Sequence, residues 1–283
     1  MKYLFQWVKG RAVYKVFSLL LGLIFAFSFS ACTAFAFVES EDVDLDLEGY
    51  ELVFYDEFEG NRLNTSKWKS RRDGPSGAGF FHPDQLSVEN GNLVITGEYK
   101  TSEYGEGWHS GMVNLRTRYL YGYYEARCKV NDSEDFFSAF WMTKDNVYVH
   151  DISQGGIHGA EIDIFETYKE HTFYKKNFIY SSIHCNGGDD DVENIDSKRV
   201  AKVYVPTLRT EYITFGLLWT EEEYVFYING RETTRSSFSK GTSCEAENVI
   251  FSLTIPNDEI NLSKDTKTQF FVDYLKIYQK PAQ

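Results

Sequence analysis

Little in this chain of 283 residues would build a helical, metal-clustered or disulfide-stapled protein. Prolines number only 5, and no stretch sustains an apolar period near 3.6, so nothing supports a helical domain. Cysteines number 4, and Cys32 lies in an N-terminal apolar segment, leaving Cys128, Cys185 and Cys244 as an odd set that could form at most one bridge. They show neither CxxC nor paired-histidine spacing, which excludes a structural zinc site, and they read as buried free thiols. Positive charge is also scarce: Lys+Arg 29 against Asp+Glu 42 gives −13, and Lys2, Lys9, Arg11 and Lys15 all precede residue 37. So acidic a body repels phosphate backbones and anionic lipid, which excludes nucleic acid as the expected partner.

Aromatic residues are abundant instead, 17% of the chain with Tyr 20 and Phe 23, a composition that fits pleated, half-buried strands. Turn residues and strand-like runs alternate from about residue 50 to the end. Strands are expected at Glu51–Phe54, Leu93–Glu98, Tyr121–Val130, Phe136–Thr143, Ala160–Phe165, Phe178–His184, Tyr212–Trp219, Tyr224–Ile228, Val249–Thr254 and Phe270–Tyr278. Asn90-Gly91 and Asn229-Gly230 each mark a tight hairpin. So many short strands, with no repeat and no second linker, predict an all-β fold: a sandwich or jelly roll of two antiparallel sheets around one core.

The N-terminus reads as an export signal over residues 1–36: a basic start, the uncharged run Val16–Val38, and a small-x-small site at Ala34-Phe35-Ala36 that would leave Phe37 first. The same run is long enough to span a bilayer as an anchor, and Cys32 ends an imperfect lipidation box. Residues 37–49 form an acidic lead-in, and residues 50–283 the folded domain. The expected location is secreted or cell-surface, with membrane contact only through that segment or lipid on Cys32.

The most informative stretch is Glu161-Ile162-Asp163-Ile164-Phe165-Glu166. Side chains at i and i+2 share a strand face, so Glu161 and Asp163 point together while Ile162 and Ile164 point into the core. Glu166 has the wrong parity and joins them only if one residue bulges out near Ile164-Phe165. Clustered carboxylates repel and raise at least one pKa, a cost usually tolerated for function. Glycoside hydrolysis needs such a set, one carboxylate ionised to attack the anomeric carbon and one protonated to release the leaving oxygen. From spacing alone, a solvated strand face or a set of calcium ligands fits equally.

This hexapeptide resembles the bulged catalytic strand of glycoside hydrolase family 16, in the form seen in laminarinases. Other segments fall in that family's order: Leu52–Gly60 with Lys67-Trp68, Glu89–Thr96, Tyr121–Arg127, Ser138–Met142, Phe215–Tyr227 and Phe271–Tyr278. The resemblance implies a concanavalin A-like jelly roll and a retaining endo-glycosidase in which Glu161 is the nucleophile, Glu166 the general acid/base, and Asp163 a helper hydrogen-bonded to Glu161. It implies substrate contacts from Trp141 and from His184, where relatives often have His-Trp and this chain has His184-Cys185. Trp108, beside His109 in a glycine-rich stretch, is expected on a cleft rim. No cofactor is expected for catalysis, and Asp273 with the Gly91 carbonyl aligns with a structural calcium site. The acidic run Gly187–Glu193 reads as solvated loop.

The expected partner is a polysaccharide, cut internally at β-linkages by a monomer. The substrate read from the resemblance is β-1,3- or β-1,3-1,4-glucan, with an endo-β-galactanase or a non-catalytic carbohydrate-binding protein as alternatives. One departure bears on that choice. Laminarinases carry Trp-Pro just before the first glutamate, where this chain reads Gln154-Gly155-Gly156-Ile157-His158-Gly159 and so lacks a stacking surface for glucose.

Overall fold

Alternating burial along β-branched and aromatic runs generates nearly all the regular structure in the computed structural model, which describes residues 36–37, 44–144, 156–168, 177–186, 195–237, 241–257 and 260–281. The export segment before Ala36, Cys32 within it, Gln154-Gly155 and the acidic run 187–193 lie outside the described residues.

The strands in chain order are β1 (Ala36–Phe37), β2 (Glu51–Asp56), β3 (Trp68–Ser70), β4 (Gly74–Ser76), β5 (Gly79–Phe81), β6 (Leu86–Glu89), β7 (Asn92–Ser102), β8 (Gly105–Ser110), β9 (Met112–Tyr119) and β10 (Gly122–Lys129). They continue as β11 (Phe137–Thr143), β12 (Glu161–Glu166), β13 (Phe178–Asn186), β14 (Ile195–Tyr204), β15 (Ile213–Trp219), β16 (Tyr224–Ile228), β17 (Arg231–Ser236), β18 (Glu247–Thr254) and β19 (Lys267–Gln279). An eight-stranded sheet runs β1-β14-β13-β12-β11-β18-β9-β3, and an eleven-stranded sheet includes the path β17-β16-β15-β10-β19-β7-β8-β5-β4. All ten expected strands are present, and the two-sheet, all-β architecture is the expected one.

Several strands escaped the sequence reading, among them β8, β9, β14 and β17. β8 is built on Gly105 and Gly107, and β17 is entirely polar or charged, so neither carries the apolar alternation that marks a strand. Both Asn-Gly turns form as expected, with φ of 52° and 74° at Asn90 and Gly91 and 49° and 69° at Asn229 and Gly230. These left-handed conformations suit asparagine and glycine and close the β6–β7 and β16–β17 hairpins.

The core lies between the sheets and is largely aromatic. Phe165 of β12 meets Phe215 of the opposite sheet at a centroid distance of 4.0 Å and Phe270 at 6.0 Å, while Phe140 stacks on Phe251 at 4.9 Å. Burying each such ring contributes about 1.5–3 kcal/mol, so the middle of the eight-stranded sheet is pinned from behind. Trp68 and Trp219 are fully buried. Among the described cysteines, Cys128 and Cys185 are buried as expected, whereas Cys244 is exposed, against expectation, with its Sγ donating to the Ile157 carbonyl.

Candidate active site

The acid-bearing strand β12 sits between β11 and β13 near the centre of the eight-stranded sheet. Its register with β11 pairs Asp163 with Trp141 and Phe165 with Phe140, so Ile164 and Phe165 together oppose one residue. On the other side Asp163 pairs with Ser182 and Glu166 with Tyr180, leaving the same two residues opposite Ser181. This is the bulge that the parity of Glu166 demanded. Ile162, Ile164 and Phe165 all turn into the core, and the Ser181 hydroxyl donates to the Ile164 carbonyl at 2.8 Å, which holds the bulge. Glu161, Asp163 and Glu166 therefore share the outer face.

The three acids form a coupled group with His184. One ligand atom each from Glu161, Asp163 and His184 lies within 4.8 Å of the others. His184 Nε2 is 2.9 Å from Asp163 Oδ2, and its Nδ1 is 2.7 Å from the Ser197 hydroxyl. Burial is the largest cause of raised pKa in all three acids. For Asp163, only 2% exposed, the charge of Glu161 adds to it. For Glu161, His184 and Arg71 pull the other way. Glu166 is pushed up to about 8 by burial and by the charge of Asp163, with which it also shares a hydrogen bond. The expected partner of Asp163 was Glu161; the structure instead gives it His184 and Glu166. A protonated Glu166 beside ionisable neighbours is the separation of roles that acid-assisted displacement requires.

Trp141 lies across the strand pair from Asp163, partly exposed, packed on Phe81, Met112 and Ile250, with its indole N–H donating to Ser252 Oγ at 3.1 Å. That places it beside the acids, as expected, and His184 with it. Trp108 is a correction: it is 8% exposed and packs edge-on to Tyr99 at 5.5 Å and Phe136 at 5.6 Å, inside the core rather than on a rim. Its glycine-rich surroundings looked like a loop but form β8, paired to both β5 and β7, and this pairing turns the indole inward.

The residues expected to hold calcium do not fit a cation. Asp273 Oδ2 lies 2.6 Å from the Arg127 guanidinium, and Arg127 itself stacks 4.7 Å over Tyr212. A guanidinium already occupies the carboxylate, and Gly91 serves the β6–β7 turn.

The sequence reading missed three residues. The Tyr168 hydroxyl donates to Glu166 Oε2, and its ring is held by stacking on Phe137 at 5.5 Å and edge contact with Tyr180 at 5.4 Å. The i, i+2 rule that paired Glu161 with Asp163 would have found it. Arg199 lies 4.1 Å over the Tyr180 ring and, among the described residues, has no hydrogen bond or ion pair to a carboxylate. Arg71 lies 5.5 Å over Trp141. Both cations come from distant segments, and nothing in the local sequence marks them.

The folded domain also matches known proteins. The family model for the glycoside hydrolase family 16 domain of β-porphyranases A–D matches residues 53–280. An endo-1,3-1,4-β-glycanase, ExsH of Rhizobium meliloti, is 25% identical over 215 residues, covering 70% of this chain and 40% of that protein. β-Porphyranase E of Zobellia galactanivorans is 26% identical over 261 residues, 82% of this chain and 89% of that one. The solved structure of porphyranase B from Zobellia galactanivorans superposes with a TM-score of 0.65 at 20% identity, covering 86% and 98% of the two chains.

Proposed function

Because this chain belongs to glycoside hydrolase family 16, we propose that it is a retaining endo-β-glycosidase acting on a β-galactan. The bulge that puts Glu161, Asp163 and Glu166 on one face carries the hydrolytic part of this reading. Glu161 attacks the anomeric carbon while Glu166 passes its proton to the leaving glycosidic oxygen. Glu166, now ionised, takes a proton from the water that releases the glycosyl group from Glu161. Asp163, held by His184, sits between them and keeps Glu166 protonated until the bond breaks. Trp141, with Arg71 over its ring, stands beside the reacting sugar.

Two observations support a galactan over the β-glucan of the sequence reading: the porphyranase family model spans the folded domain, and Arg199 and Arg71 cover the faces of Tyr180 and Trp141. An arginine seated on an aromatic ring takes away bare stacking surface on which a β-glucan chain would rest. The glucan reading keeps support from relatives such as ExsH. The basic start and uncharged run support export to the cell surface or beyond, and N-terminal sequencing of secreted protein beginning at Phe37 tests cleavage.

The test is product analysis by mass spectrometry on laminarin, lichenan, agarose, porphyran, xyloglucan and mucin glycans in parallel. Oligosaccharides from porphyran or agarose, absent with Glu161→Gln at unchanged fold, support the reading. Release from laminarin or lichenan alone overturns the galactan assignment, and inert wild type across the panel overturns hydrolysis. Proton NMR of early products should show the β-anomer first; an initial α-anomer removes the nucleophile role from Glu161.

A further inference from the structure

Behind the acid-bearing face, on the core side of the same sheet, lies a titratable group that the mechanism leaves unused. Glu247 opens β18 and is completely buried. Its Oε1 accepts the backbone N–H of Ala160 at 3.0 Å, and its Oε2 has no hydrogen-bond partner, although the Ser243 hydroxyl lies near enough to favour ionisation. A buried carboxyl oxygen without a donor costs stability, and an apolar side chain would fill this position at less cost. Such a group needs an explanation.

Its location supplies one. Ala160 immediately precedes Glu161 and follows Gly159, whose φ of 129° only glycine tolerates. The ladder of β12 to its neighbours begins at Glu161, which pairs with Thr143 and His184, so the Ala160 amide falls outside the regular pairing. The side chain that satisfies it comes from β18, two strands away across β11. Asn248, the next residue, donates to the Thr143 carbonyl at 3.3 Å, which ties the same end of β18 to β11. Glu247 thus joins the start of the acid-bearing strand to the strand beneath Trp141.

We propose that Glu247 is a positioning residue: by holding the Ala160 amide it fixes where Glu161 stands relative to the sugar-binding face. The proposal rests on the reading of Glu161 as nucleophile. Misplacing a reacting group by about 1 Å can cost on the order of 100-fold in rate, so the anchor acts on the chemical step and leaves binding alone.

The experiment compares Glu247→Gln, which keeps an acceptor for Ala160, with Glu247→Ala and with Glu247→Met, which fills similar volume without one and serves if the alanine variant fails to fold. Activity is read on whichever polysaccharide wild type cleaves, and amide exchange at Ala160 is read by NMR without substrate. In the methionine variant kcat should fall roughly 10- to 100-fold with KM within about twofold, and exchange at Ala160 should accelerate. The glutamine variant should restore both. Unchanged exchange at Ala160 in Glu247→Met, faster exchange with kcat untouched, a loss confined to KM, or a glutamine variant as damaged as methionine each overturns the proposal. Inert wild type with Ala160 protected removes the hydrolase reading itself, and the proposal with it.

Discussion

Replacing Tyr168 by phenylalanine should move the alkaline limb of the pH–rate profile upward. The Tyr168 hydroxyl donates to Glu166 Oε2, and a donor to a carboxylate favours its ionised form. Burial and the charge of Asp163 outweigh that donation and place Glu166 at about 8. A hydrogen bond to a charged group is worth about 1.5–3 kcal/mol net, and one pKa unit corresponds to about 1.36 kcal/mol. The gross effect is therefore about one to two units, and water entering at the partly exposed Tyr168 reduces it to roughly one. Stacking on Phe137 holds the phenylalanine ring in place, so the change is confined to one oxygen. The alkaline limb of kcat/KM reports the acid of the free enzyme. In Tyr168→Phe that limb should shift from near pH 8 to roughly 9. A limb that stays put or moves down refutes the donor role of Tyr168 or the acid role of Glu166. Carbon-13 NMR titration of the Glu166 carboxyl separates these, because it reads the pKa without substrate.

Glu247 and Glu166 both titrate near 8 when folded, against 4.5 as the ordinary value, so between those limits the folded state holds more protons than the unfolded one. Stability should be greatest at the acid end of that window and fall as pH rises, with each group contributing at most about 1.4 kcal/mol per pH unit; urea unfolding from pH 5 to 8 should show a shallower fall in Glu247→Gln, and a flat wild-type profile would contradict the assignment. Trp108→Ala should cost roughly 3–5 kcal/mol of stability while the folded fraction keeps its KM, whereas a raised KM at unchanged stability would return Trp108 to the cleft. Asp273→Asn breaks a half-exposed ion pair and should cost less than about 1 kcal/mol, and chelator should leave the Tm unchanged; a calcium-induced rise in Tm that this variant abolishes would restore the cation site.

The all-β class, ten of the strands, both Asn-Gly hairpins and the three acids are legible along the chain, because each is written in local terms: apolar alternation, turn chemistry and strand parity act over a few neighbouring residues. Strand parity also required a bulge before Glu166 could join the others, and the double register shift at Ile164-Phe165 meets that requirement. Whatever depends on which strands become neighbours was set by packing. Trp108 faces the core because β8 pairs on both sides; Asp273 is taken by Arg127 because β10 and β19 are adjacent. Arg199 reaches the Tyr180 ring because β14 pairs with β13, and Glu247 reaches Ala160 across β11, contacts that form only once the strands are assembled. Local sequence encodes periodicity and parity but carries no term for partners that meet only when two sheets close on one core, and the tuning of this site lies in those partners.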